Sequence, residues 1–150
     1  LLLKDEGFGI HIIKAIEKLQ LPNIEIHDIG RRNILGVIFA LNGCDKGIII
    51  DAVKRGGEPG TVYRFKLEEE VKAVDIIKRI RNVFSLHQLD LSTAISMGRE
   101  SGLNLPRGNI VVIGVEPKII EAGLELSPEV KKVVPRVIDL VIQDVNRINR

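Results

Sequence analysis

Two short apolar runs decide most of what this chain can become. GIIID at 47–51 and IVVIGVE at 110–116 carry no polar side chain for the length of a strand, and each stops at a carboxylate. A strand with one face in water alternates polar and apolar residues. A run without alternation is covered on both faces, as in sheets layered between helices. The spacing predicts strands at 46–53 and 109–117, the second halted by Glu116 and Pro117.

Helical periodicity surrounds them. Phe8, Ile12, Ile13, Ile16 and Leu19 recur on one face and Pro22 closes the segment, which predicts an amphipathic helix from about 7 to 20. Alternation in NIEIHDI predicts a strand at 23–29. RRNILGVIFALN at 31–42, bounded by Asn42-Gly43, reads as a second helix. TVYRF at 61–65 alternates and reads as an edge strand reached through the glycine-laden turn 56–60. The charged stretch 66–84 is helical in part. Ser85-Leu86-His87-Gln88 has capping-box spacing and starts a helix to Met97 or beyond. Ser127-Pro128-Glu129 caps a closing helix to about Asn149, with Pro135 expected to kink it or shift its start. The sum is an α/β chain: a three-layer, twisted, mostly parallel sheet with helices on both faces.

At 150 residues one domain over 1–150 is the expectation, large enough to bury a core without staples. The opening LLLKDEG has no methionine and shows no strand pattern before the first helix, so the domain's first strand is expected to lie outside this sequence. A net charge of +2, with scattered basic residues and no Trp, speaks against nucleic acid as a partner. The apolar runs fall short of the roughly 20 residues of a membrane span, and no signal peptide is visible. A lone Cys44 makes no internal disulfide and no zinc motif, which fits a cytoplasmic protein. A monomer is expected.

Ligand sites in open α/β sheets form beyond the carboxyl ends of the strands. Three candidate groups stand at such places: Glu6 before the first helix, Asp51 after the III run, and His87 in the first turn of the capped helix. Two carboxylates and an imidazole suit a divalent transition metal better than calcium or magnesium. Each also has a plainer role: Glu6 complementing a helix dipole, Asp51 opening a loop by bonding its own backbone, His87 idle in a first turn. Other candidates fare worse. GFG at 7–9 lacks a dinucleotide fingerprint, and no phosphate-cradling loop is present. Ser92, Thr93 and Ser96 sit within a helix, without an elbow that would expose a nucleophile. His11, on the first helix, and His27, in the 23–29 strand, read as structural residues, as does Cys44.

The assembled blocks LLLKDEGFGIHIIKAIEKL, IIIDAVKRGGEPGTV, SLHQLDLSTAI, IVVIGVEP and GLELSPEV resemble the hydrogenase maturation endopeptidases over nearly the whole chain. These enzymes trim a C-terminal peptide from the precursor of the nickel-iron hydrogenase large subunit after nickel insertion. The resemblance implies that Glu6, Asp51 and His87 are the catalytic and metal-ligating residues. It also implies that nickel arrives with the substrate, and that no organic cofactor is needed. Family members begin with a strand and a Gly-Asn pair that are missing here. At DIGRRNILG, Arg31 and Arg32 stand where the family has paired glycines and threonine. The second departure points to a hydrogenase outside the common bacterial uptake type. In this reading the strand holds Asp51 rigidly and a flexible GGEPG loop leaves room for an extended peptide. A non-cleaving module that binds metal or a metallated protein remains the alternative, with a conventional zinc hydrolase as a third reading.

Overall fold

A computed structural model describes residues 2–4, 8–29, 34–53, 55–67, 91–118 and 127–148. Among them are strands β1 (Leu2–Lys4), β2 (Gly47–Ala52), β3 (Val62–Lys66) and β4 (Ile110–Val115). The helices are α1 (Phe8–Lys18), α2 (Ile34–Leu41), α3 (Leu91–Glu100) and α4 (Pro128–Ile148). The chain gathers into two compact units. One is Leu1–Arg31, Ile48–Phe65 and Val111–Arg150; the other is Arg32–Gly47 and Lys66–Ile110. No helix among the described residues is long and apolar enough to cross a membrane.

The fold is α/β, and its sheet runs in the order β1-β2-β4-β3. β1 pairs with β2 in parallel, Lys4 opposite Asp51. β2 and β4 are parallel too: the Gly47 N–H donates to the Asn109 carbonyl at 2.9 Å and the Val53 N–H to that of Val115 at 3.0 Å. β3 is antiparallel to β4, since Glu116 N–H reaches the Thr61 carbonyl while Leu67 N–H reaches that of Ile110. Among the described residues the sheet is mostly parallel, as expected, and β3 stands at its edge.

In the first unit, Ile48 and Ile50 of β2 and Val111, Ile113 and Val115 of β4 join Phe8, Ile12 and Ile16 of α1 and Val137, Val141 and Val145 of α4 in one core. The intervening Ile49 and Val112 are buried as well, which is why neither strand alternates. α4 starts where its cap predicts: the Val130 N–H donates to Ser127 Oγ at 3.2 Å. It runs unbroken through Pro135, which neither shifts the start nor ends the helix. Pro135 lies on the exposed side, where the carbonyl it leaves without a helical partner can bond to water. Fully buried Asp144 is held by Arg64 of β3, Nε to Oδ2 at 2.9 Å.

In the second unit α2 packs on α3 at Gly98, where an added Cβ would stand 2.9 Å from Leu105 and 3.1 Å from Ile38. The end of α2 is tied down by the Gly43 N–H to the Asn104 carbonyl and the Asn104 N–H to Asn42 Oδ1.

Two expectations are corrected. A strand does precede α1, a three-residue segment too short for any alternation to register. Residues 23–29 form no strand: Asn23 takes a left-handed φ of 61°, and Ile24 and Ile26 press against the core without joining the ladder. Their alternation records half-burial alone.

Candidate active site

The carboxyl ends of the parallel strands deliver two acids. Asp51 is the penultimate residue of β2, half-buried, with Oδ1 accepting the Ala52 N–H at 2.8 Å. The bond to its own neighbour is the kind of local contact a strand-ending aspartate makes. Asp51 keeps further interactions besides. Glu6 and His87, the other predicted ligands, lie outside the described residues, as does the expected capping box 85–88. Among the described residues no three His, Cys, Asp or Glu side chains gather into a metal-holding group.

Glu116, the acid that ends β4, is a residue whose role the sequence did not disclose. Only 4% of it is exposed. Both carboxylate oxygens accept the backbone N–H of Arg55, at 3.1 and 3.0 Å. Its carbonyl accepts the Gly60 N–H at 2.9 Å, and its own N–H donates to the Thr61 carbonyl at 2.8 Å. One residue thus pins both ends of the loop leaving β2. Within the loop, Thr61 Oγ1 donates to the Glu58 carbonyl at 2.7 Å. Gly60 has a φ of +89°, and an added Cβ would sit 2.6 Å from the Glu129 carbonyl. The GGEPG segment is therefore tethered, where flexibility was expected. A signal was present in the sequence: an acid directly after an apolar strand, the same pattern that singled out Asp51.

The remaining candidates sit as structural residues. His11 is exposed on α1. His27 Nε2 lies 3.4 Å from Glu25 Oε2. The Cys44 thiol donates to the Ala40 carbonyl at 3.4 Å. Thr93 and Ser96 are buried in α3, and the Ser96 hydroxyl donates to the Ser92 carbonyl at 3.0 Å.

Comparison with known proteins settles the family. The model of the hydrogenase maturation protease family matches residues 10–144, spanning parts of both units. The chain belongs to the hydrogenase maturation protease family. Protein FrxA of Pyrococcus furiosus is 32% identical over 139 residues, 92% of this chain and 93% of its own. The hydrogenase 2 maturation protease of Escherichia coli is 31% identical over 145 residues, 95% of this chain and 83% of its own. Among solved structures, the hydrogenase 2 maturation peptidase of a Thaumarchaeota archaeon superposes with a TM-score of 0.67. It is 28% identical, and the match covers 97% of each chain. As a hydrogenase maturation protease, this chain is an endopeptidase, a hydrolase.

Proposed function

We propose that this hydrogenase maturation protease removes the C-terminal peptide from the precursor of a nickel-iron hydrogenase large subunit once nickel is inserted. In this reading it senses the metal through Glu6, Asp51 and His87. The nickel is carried by the substrate, and no organic cofactor takes part.

The observation that carries the reading is the place of Asp51: a half-buried carboxylate at the carboxyl end of an interior parallel strand, where α/β sheets put their ligand sites. Chain connectivity supports Glu6 as its companion. Lys4 is opposite Asp51, and the two residues from Lys4 to Glu6 span about 7 Å at most. His87 enters on the sequence resemblance. Two carboxylates and an imidazole would leave open positions on the ion for groups of the substrate, so that tight binding reports nickel insertion. Water is the attacking group in this account, because Thr93 and Ser96 are buried and Cys44 is engaged with its own helix. The unpaired cysteine favours the cytoplasm as the setting, with a single copy of the chain acting.

The test is incubation of the purified protein with nickel-loaded and nickel-free precursor, followed by intact mass. Loss of the tail in the loaded sample alone is the expected result. Stable complex formation without cleavage would instead mark a non-cleaving binding module, and equal cleavage of both samples would contradict nickel sensing. Stoichiometric zinc in the purified protein would mark a conventional zinc hydrolase.

A further inference from the structure

Past Asp51 the tethered loop returns Arg55 over the edge strand. Its guanidinium carbon stands 4.3 Å from the centre of the Phe65 ring and 5.4 Å from that of Tyr63. Side chains alternate along a strand. Val62 packs against the core and Arg64 reaches Asp144 in α4, so Tyr63 and Phe65 carry Arg55 on the opposite face of β3. The main chain of Arg55 is fixed by buried Glu116 and its head group by two rings, yet the residue is exposed. Among the described residues no carboxylate side chain pairs with its guanidinium.

An exposed guanidinium already ordered on an aromatic platform has the chemistry to take a carboxylate in a two-pronged hydrogen bond. Among the described residues β3 closes one end of the sheet order, an edge beside which an extended peptide can lie. Arg55 is four positions along the chain from Asp51, a reach of about 14 Å at most, or about four residues of an extended substrate.

We infer that Arg55 is a specificity-determining residue that binds a carboxylate of the precursor's C-terminal tail, within about four residues of the segment held at Asp51. The carboxylate is an acidic side chain or the chain terminus. The inference rests on the peptidase reading above.

The experiment measures KM and kcat of wild type, Arg55→Gln and Arg55→Lys on nickel-loaded precursor. Four tails are compared: native, acidic side chains changed to amides, C-terminus amidated, and both. Glutamine keeps the backbone N–H that Glu116 holds, and an unchanged Tm certifies the fold. On the native tail Arg55→Gln raises KM about tenfold with kcat nearly constant, and Arg55→Lys recovers part of the loss. The gap between wild type and Arg55→Gln closes on whichever tail lacks the bound carboxylate, which tells side chain from terminus. Equal KM on the native tail, or a gap that persists on the doubly neutralised tail, overturns the inference and leaves the peptidase reading standing. A wild type that cuts no nickel-loaded precursor overturns both.

Discussion

β2 and β4 are neighbouring parallel strands, each with an apolar run that leads into an acid, yet the two acids are placed differently. Glu116 is sequestered and spends both oxygens on one backbone N–H. Asp51 stays within its strand, half-buried at the carboxyl end of the sheet, the place where α/β folds generally form ligand sites. A carboxylate beyond a buried strand is thus an ambiguous sign. What separates the two is where the next loop goes: after β4 the acid turns in to hold the loop that leaves β2, while Asp51 stands before that loop.

The largest effect that sharpens this contrast is at Asp51. Asp51→Asn should lower processing of nickel-loaded precursor at least about 100-fold with Tm unchanged, measured by cleavage rate and calorimetry. Glu116→Ala should do the reverse, destabilising by about 2 kcal/mol through the lost charge-assisted bond and speeding hydrogen exchange at the Arg55 amide. Glu116→Gln keeps an acceptor and should recover much of that stability. Should Glu116→Gln abolish processing while Tm holds, the two acids share a function and the contrast fails.

Gly60→Ala comes next, about 1–2 kcal/mol in denaturant unfolding, because its φ of +89° and the Glu129 carbonyl both resist a side chain. Ser127→Ala should cost about 1 kcal/mol by uncapping α4 and leave processing intact.

The smallest effect concerns pH. Glu129 is held below the usual carboxylate range by its own backbone N–H and then by Lys118, whose Nζ lies 3.0 Å away. A depressed carboxyl stabilises the fold above its unfolded pKa, and that contribution fades as pH falls through the folded value. Solvent screens so exposed a pair, so Lys118→Ala should slightly lower Tm at neutral pH and match wild type in acid, which shrinks the acid-side loss.

The strands 46–53 and 109–117 were legible because burial on both faces erases alternation, and α4 because Ser127 and Pro128 spell its cap. The resemblance likewise pointed to the family that the comparisons establish. Residues 23–29 misled because Ile24 and Ile26 are half-buried without ladder partners, a state that periodicity cannot tell from a strand. β1 was missed for its length, and Pro135 does not shift the start of α4 because Ser127 and Pro128 already fix it. Of the candidate site, the position of Asp51 was readable, whereas the clamp made by Glu116 depends on contacts 61 residues apart in the chain. No local pattern encodes such a pairing.

The central claim is that Glu6, Asp51 and His87 share one ion. Crystals soaked with cadmium and measured at a wavelength where it scatters anomalously test it most directly. The account predicts a single strong peak within bonding distance of all three side chains; a peak that engages Asp51 without the other two, or side chains too far apart to meet, would contradict it.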